Sequence, residues 1–361
     1  MKYKNIIIKI GSNVLTNPEN LPDEAYIAGL ARQIAALLKS GSRVTIVSSG
    51  AVAAGRSLHR PASKLDTISQ RQLFAATGQP LLMQLYYRFF AENGHSCAQV
   101  LVTKEDFRDR NHYLNMKNCL SALLQEGIVP VINENDVVAV TELMFTDNDE
   151  LSGLVATMLN ADALFILTNV DGVFSGDPAL PGSRVIPLIG SEADFAGAVT
   201  SGKSMYGRGG MLTKCRNALK VAGLGINVHI ASGRAEDVLA RLASDSPPGT
   251  LFPANNSASS VKKWVAHSGG FAKGAACINA GAARALHSST ATSLLPVGVV
   301  AVQGTFQKGD IIEIRDEAGR ALGYGMAACN AEKARQIAGQ QHQKPLVHYD
   351  YLYLEEPEGS K

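Results

Sequence analysis

The feature that most constrains the fold is a series of short, almost continuously apolar runs separated by segments with helical patterning. The runs are NIIIKI (5–10), RVTIVSSG (43–50), SCAQVLV (96–102), IVPVIN (128–133), ALFILT (163–168) and INVHIA (226–231). A strand with one wet face alternates apolar and polar residues, whereas a strand covered on both faces is apolar throughout. The pattern therefore predicts an α/β three-layer sandwich with a mainly parallel central sheet.

The segments between these runs have helical patterning. The predicted helices are 23–41, 70–93, 111–126, about 150–160, and 210–223. Asp23 is the predicted N-cap of the first helix, and Gly41 lies just past its end. We expect a break in the second helix near Gly78 and Pro80, because both residues disfavour a helix interior.

The pattern changes near Thr250. NNSASS (255–260) is a short polar stretch, and Gly-rich, alternating units such as VVAVQGTF and GDIIEIRD follow it. Alternation with tight turns indicates a small β-rich domain. We therefore predict a larger domain over 1–254 and a second one over 274–355.

Composition narrows the class of protein. Of the chain's 361 residues, 46% are hydrophobic and 18% are charged, which is typical of a globular protein. The net charge of +2 is too small to indicate nucleic-acid binding by itself. The five cysteines are widely spaced without a C-x-x-C pair, so we expect a reducing, cytoplasmic setting. No run approaches the roughly 18 apolar residues of a membrane span, and Lys9 interrupts the N-terminal apolar run, which favours a strand over a signal peptide.

Polar residues follow the ends of several predicted strands. They lie in KIGS (9–12), SSGA (48–51), NEND (133–136) and TNVDG (168–172), while FTDNDEL (145–151) and GRGGMLTK (207–214) open helices. Ligands of open α/β sheets bind at the carboxyl ends of the strands, so these segments are predicted to line one site. Each has a simpler reading in isolation: Lys9 as a solvated lysine, Gly50 as a strand terminator, Asp147 and Asp149 as helix-start residues.

The chemistry that these residues suggest is phosphoryl transfer. GRGGMLTK is not a P-loop, because no Gly precedes Lys214 and Cys215 follows it. Glycines before a helix with a lysine in its first turns nevertheless offer amides and a cation to an anion, although they could also form a hinge. The segments contain no histidine, and a carboxylate acceptor, already ionised at neutral pH, needs no general base.

The motifs KIGSNVL, VSSGAVAAG, VPVINENDVV, DNDELSGLVA, LTNVDGVF and GRGGMLTK together resemble the amino acid kinase family, over residues 1 to about 252. The resemblance implies ATP-dependent phosphorylation of the γ-carboxylate of L-glutamate, the first step of proline biosynthesis. It also implies Mg²⁺ arriving with ATP, proline as feedback inhibitor, and a homo-dimer or tetramer. The segment 274–355, with GTFQKGDIIEI, resembles a PUA domain.

Residue roles follow from the same resemblance. The implied catalytic residues are Lys9, Lys214 and Asp149, the aspartate holding the two lysines. The implied substrate-binding residues are Ser49, Gly50, Ala51, Asn133, Asp136 and Asn148. The implied nucleotide-binding residues are Lys9, Gly11, Thr168, Asn169, Arg208, Gly209, Gly210, Met211, Leu212, Thr213 and Lys214. This chain departs from the usual pattern at Asn169, where the family has Asp, at Arg208, where it has Thr, and at Leu212, where a small polar residue is common.

Two alternatives stay open. PUA domains commonly bind RNA, but 274–355 holds seven basic and seven acidic residues, so we favour a structural or regulatory role. The second alternative is a kinase of the same fold acting on N-acetylglutamate. Asp136 offers an acidic partner to a free α-ammonium group, which an acetylated amine would not need.

Overall fold

The computed structural model describes residues 2–19, 21–59, 64–139, 145, 147–195, 210–255, 265, 272–287 and 292–354. The chain divides into two units, Met1–Asp106 with Leu114–Ser257, and Phe107–Tyr113 with Ala258–Lys361. The domain bounds 1–254 and 274–355 remain predictions.

The described part of the first unit contains a seven-stranded sheet. Its strands are β1 (Asn5–Ile10), β2 (Arg43–Ser48), β3 (Cys97–Val102), β4 (Val129–Glu134), β5 (Ala163–Thr168), β6 (Asn227–Ser232) and β7 (Thr250–Phe252). The order across the sheet is β3-β4-β2-β1-β5-β6-β7, and every neighbouring pair is parallel except β6 with β7. The central strand β1 therefore places its carboxyl end between those of β2 and β5.

The central strands are buried along their whole length. Every residue of β1, β4 and β5 is buried. Because successive side chains of a strand point to opposite faces, both faces of the sheet must be covered. The predicted three-layer sandwich with a mainly parallel sheet is confirmed.

Helices connect the strands. Up to residue 255 they are α1 (Ser12–Leu15), α2 (Glu24–Lys39), α3 (Ala51–Leu58), α4 (Thr67–Glu92), α5 (Lys104–Arg108), α6 (Arg110–Gln125), α7 (Asn148–Met158), α8 (Met211–Ala222) and α9 (Val238–Leu242). The Asp23 carboxylate caps α2 as predicted, accepting a hydrogen bond from the Tyr26 amide at 3.0 Å.

The predicted break in the second long helix is wrong. Helix α4 runs uninterrupted from Thr67 to Glu92 with Pro80 inside it. Tertiary packing outweighs the local cost of proline here, since α4 packs against α2, α3 and β3. Gly78 is needed for a close helix contact: a Cβ there would lie 1.9 Å from the Ala51 carbonyl oxygen of α3.

The second unit has a mixed five-stranded sheet. Its strands are β8 (Gly274–Ile278), β9 (Val299–Gly304), β10 (Ile311–Arg315), β11 (Ala321–Met326) and β12 (Leu352–Leu354), in the order β12-β11-β10-β8-β9. Two short helices, α10 (Ala280–Leu286) and α11 (Ala331–Ile337), accompany them. A separate apolar core includes Ile278, Ile312, Ile314 and Val347.

The described residues bear on two expectations, the lack of a membrane span and the lack of disulfides. Within these ranges, no helix is long and apolar enough to cross a membrane. All five cysteines are free thiols.

Candidate active site

A cavity of about 780 Å³ lies at the carboxyl ends of the central strands. Its walls come from the residues that follow β1, β2, β4 and β5, and from the starts of α3, α7 and α8. This is the position in which open parallel sheets bind ligands. Within the part of the chain that the structure describes, each of the six segments predicted to converge contributes residues to the lining.

One buried carboxylate holds two lysines in this cavity. Asp149 Oδ1 lies 2.7 Å from Lys9 Nζ, and Asp149 Oδ2 lies 2.8 Å from Lys214 Nζ. Burial raises the pKa of Asp149, but the two lysine charges outweigh burial and lower it to about 2. Burial lowers the pKa of Lys214, but the effects that raise it, of which the Asp149 charge is the largest, together outweigh burial. The net result is a pKa above the usual value for lysine. Both members of this pair are therefore charged at neutral pH.

Local capping fixes the position of Asp149. The Asp147 carboxylate is the N-cap of α7, and its Oδ1 accepts hydrogen bonds from the amides of Asp149 and Glu150 at 2.9 and 3.1 Å. Burial, and then the Asp149 charge, raise the pKa of Asp147. The simple reading of Asp147 as a cap is thus correct for this residue, while Asp149 faces the lysines.

An amide network joins the start of α7 to three other elements around the cavity. Asn148 Nδ2 donates to Ser49 Oγ at 2.9 Å and to Asn133 Oδ1 at 3.1 Å. Asn133 Nδ2 in turn donates to Gln79 Oε1 of α4 at 3.0 Å. A chain of hydrogen bonds through one half-buried and two buried amides fixes side-chain directions, so the start of α7 is held in register with β2, β4 and α4.

The helix starts at the cavity include those of α3 and α8, each of which follows a glycine. Gly50 precedes α3 with φ of 105°, a left-handed conformation that glycine adopts without strain, and Gly210 precedes α8. Neither helix has a capping side chain among the described residues. Uncapped amides at a helix start form a ready site for phosphate or carboxylate oxygens.

At the end of β1, Gly11 donates its amide to the Leu167 carbonyl oxygen at 3.3 Å. The Thr168 hydroxyl donates to Asn169 Oδ1 at 3.3 Å. These residues line the cavity together with Lys9.

The structure brings most of the predicted site residues together. Those lining the cavity are Lys9, Gly11, Ser49, Gly50, Ala51, Asn133, Asp136, Asn148, Asp149, Thr168, Asn169, Gly210, Met211 and Lys214. Leu212 and Thr213 do not line it. Arg208 and Gly209 lie outside the described residues.

Sequence reasoning missed an acidic and basic cluster in the same wall. Arg71 of α4 donates from Nε to Asp136 Oδ1 at 2.7 Å and from Nη2 to Glu134 Oε2 at 3.2 Å. Nothing in the sequence around Arg71 marks it, because its partners lie more than sixty residues away along the chain. Glu134 lies in the motif VPVINENDVV. A carboxylate next to an apolar run was the signal that could have marked it as a candidate site residue.

The fold and the site define a phosphoryl-transfer enzyme of the α/β class: anion-binding helix starts and two charged lysines meet at the edge of a parallel sheet. The amino acid kinase family matches residues 4–232, and the PUA domain family matches residues 274–349. The chain belongs to the amino acid kinase family and carries a C-terminal PUA domain.

Similar proteins extend over nearly the whole chain. A protein from Chlorobaculum tepidum named glutamate 5-kinase is 52% identical over 98% of this chain and 98% of its own length. One of the same name from Bacteroides thetaiotaomicron is 48% identical over 98% of this chain and 99% of its own length. Among solved structures, a UMP kinase from Bacillus anthracis has a TM-score of 0.51 at 14% identity, covering 71% of this chain and 98% of that one. This last likeness supports the fold alone.

Proposed function

We propose that the protein transfers the γ-phosphoryl group of ATP to the γ-carboxylate of L-glutamate, forming L-glutamyl 5-phosphate, the first step of proline biosynthesis. The observation that carries the proposal is the pair of lysines held on one buried aspartate, at 2.7 and 2.8 Å, in a cavity at the sheet edge. The name shared by the relatives from Chlorobaculum tepidum and Bacteroides thetaiotaomicron supports the choice of glutamate.

Charge is what the site contributes to the reaction. A carboxylate oxygen of the acceptor forms a bond to the γ-phosphorus, and the bond from that phosphorus to the bridging oxygen of ADP breaks. Two ammonium groups and one carboxylate leave a net charge of one positive unit beside the transferring group. Lys9 and Lys214 would neutralise negative charge on the phosphoryl oxygens, and Asp149 would keep both lysines in place without moving a proton.

The acceptor needs no general base. A γ-carboxylate is ionised at neutral pH, so no proton has to leave the attacking oxygen. This agrees with the wall of the cavity, where the ionised carboxylate of Asp149 is already paired with two cations. The uncapped amides at the starts of α3 and α8 would bind the acceptor carboxylate and the phosphates.

The cavity also fits a magnesium ion carried by ATP. Among the described residues, no group of three or more His, Cys, Asp or Glu side chains could hold a metal without the nucleotide. Mg²⁺ in kinases is typically held by one or two carboxylates with phosphate oxygens and water. Asp147 lines the cavity, and its Oδ2 has no hydrogen-bond partner among the described residues. Asp147 would hold the ion, which would neutralise phosphate charge.

The test is a trapping assay. The protein, ATP, Mg²⁺ and hydroxylamine should convert L-glutamate to its γ-hydroxamate, because hydroxylamine captures an acyl phosphate. N-acetyl-L-glutamate serves as the comparison substrate, since it lacks the free α-ammonium group. Turnover of N-acetyl-L-glutamate without turnover of L-glutamate would contradict the proposal.

Inhibition by proline and assembly into a homo-oligomer are two further parts of the proposal, each with its own test. Proline added to the reaction should inhibit it, and size-exclusion chromatography with light scattering should give the mass of a homo-dimer or tetramer. A cytoplasmic location is the setting in which the free thiols and the supply of ATP are compatible.

A further inference from the structure

Arg71, Asp136 and Glu134 form a charged cluster in the wall of the same cavity, and their ion pairs are separate from those of Lys9 and Lys214 with Asp149. Arg71 projects from α4, while Glu134 ends β4 and Asp136 follows it. The side chains of Asp136 and Glu134 are 8% and 5% exposed, whereas that of Arg71 is 28% exposed. The arginine is thus the member of the cluster that a ligand can reach most easily.

The cluster leaves groups of both signs free. Arg71 uses Nε and Nη2 toward Asp136 Oδ1, and Nη2 also toward Glu134. Its Nη1 makes no hydrogen bond within the part of the chain that the structure describes. Asp136 Oδ2 likewise has no partner there. A guanidinium carries five N–H donors in one plane and is suited to carboxylates.

The charges of the cluster nearly cancel. Burial raises the pKa of Glu134, and the hydrogen bond from the Phe145 amide opposes this shift only in part. The net pKa is about 7. Burial also raises the pKa of Asp136, while Arg71 opposes that shift. Where Glu134 carries its proton, the remaining pair is one cation, Arg71, beside one anion, Asp136. A ligand that presents a carboxylate next to an ammonium group would complement it without adding net charge to a buried site.

We propose that Arg71 binds the α-carboxylate of the amino-acid substrate, beside the Asp136 carboxylate that the family resemblance already pairs with the α-ammonium group. The proposal rests on the function proposed above and assigns Arg71 a role in substrate specificity. The γ-carboxylate is then left to point toward the helix starts and the two lysines. A substrate that lacks one of the two α-groups would leave either Arg71 or Asp136 without a partner of opposite charge on the ligand.

The matching experiment compares L-glutamate with 4-aminobutyrate, which keeps the γ-carboxylate and the ammonium group but lacks the α-carboxylate. Dissociation constants for both compounds are measured by calorimetry on the full chain and on Arg71→Met and Arg71→Lys. Arg88→Met is the control. Arg88 lies on the same helix as Arg71 and also pairs with a carboxylate, that of Glu24, but it does not line the cavity.

The unaltered protein should bind L-glutamate about 100-fold more tightly than 4-aminobutyrate, as expected for a charge-assisted contact to a carboxylate. Arg71→Met should reduce that ratio to nearly one by weakening L-glutamate alone. Arg71→Lys should retain part of the ratio, and Arg88→Met all of it.

A purely structural role for Arg71 would weaken both compounds equally and leave the ratio unchanged in Arg71→Met, which would overturn the proposal. A ratio near one in the unaltered protein would overturn it as well. Failure of the proposed function would be seen separately, as the absence of glutamyl hydroxamate with the unaltered protein. The ratio of the two dissociation constants could still be measured in that case.

Discussion

At the scale of single residues, the site depends on a carboxylate that is almost fully buried between two cations. Asp149 is 1% exposed, and its charge is stable there because Lys9 and Lys214 lie within 2.8 Å of its oxygens. A buried charge without such partners would be costly. The same two ion pairs that stabilise the buried charge of Asp149 also fix the two ammonium groups that the proposed reaction uses.

Replacement of one lysine should therefore affect turnover more than nucleotide binding. We expect Lys214→Ala to lower kcat about 100-fold or more, the usual effect of removing a preorganised charge from the transition state. The KM for ATP should change by less than about fivefold, because in the proposed mechanism the helix amides bind the phosphates as well. Steady-state kinetics of the hydroxamate assay measure both constants.

Lys220→Ala is the control, since Lys220 is exposed further along α8 and does not line the cavity. Unchanged turnover in Lys214→Ala would show that this lysine is not catalytic.

A second residue-scale effect concerns pH and the buried His229. Its Nε2 lies 3.0 Å from the Tyr3 hydroxyl oxygen, and burial, with a smaller contribution from Lys2, lowers its pKa from 6.5 to about 4. Between these values the unfolded chain binds a proton that the folded chain does not, so the free energy of unfolding falls as pH drops from 6.5 to 4. The full effect is roughly 3 kcal/mol.

Urea unfolding at several pH values measures this effect. His229→Gln is expected to lose the His229 part of the pH dependence, so its stability should fall less steeply than that of the unaltered protein. The exposed His59→Gln should keep the original dependence. Parallel curves for His229→Gln and the unaltered protein would contradict the assignment.

At the scale of elements, the contact between α3 and α4 links the core to the site. A Cβ at Gly78 would lie 1.9 Å from the Ala51 carbonyl oxygen and 2.2 Å from the Gly55 nitrogen. Both are backbone atoms, so neither can move without displacing α3. Since α3 begins at Ala51, directly after Gly50, any displacement reaches the cavity wall.

Gly78→Ala should therefore destabilise the fold by about 3 kcal/mol, at the upper end for overpacking, and should also impair substrate binding. Gly29→Ala, in the interior of α2, is the matched control. Its Cβ would meet Arg32 at an ordinary 3.6 Å, so alanine should stabilise the helix by up to about 1 kcal/mol. Urea midpoints of the two variants should shift in opposite directions; a neutral Gly78→Ala would contradict the close contact.

Some of these elements could be predicted from the sequence, and others could not. The strand bounds Asn5–Ile10 and Ala163–Thr168 agree with prediction because strands buried on both faces leave an unbroken apolar pattern. The continuity of α4 could not be predicted, because local rules treat Gly78 and Pro80 as breakers while tertiary packing decides. Arg71 was missed for a related reason: its meaning depends on how α4 lies against the end of β4.

At the scale of the whole molecule, the charge balance of the PUA segment makes a prediction about RNA. The seven basic and seven acidic residues of 274–355 cancel, and α11 has Glu332 exposed beside Lys333. Non-specific RNA affinity arises from lysines and arginines that displace counterions, and it weakens as salt rises. A balanced surface lacks this driving force, so we expect the full chain to bind tRNA weakly and with little dependence on salt.

Fluorescence anisotropy of labelled tRNA, titrated with the full chain at several salt concentrations, measures that dependence. The matched variant replaces the exposed Glu317 and Glu332 with lysine, and each replacement adds two positive charge units to the segment. This variant should acquire binding that weakens as salt is raised, which shows that the assay detects a basic surface. Tight, salt-sensitive binding by the unaltered chain would instead mean that its basic residues form a local patch despite the balanced total, and the RNA-binding alternative would then stand.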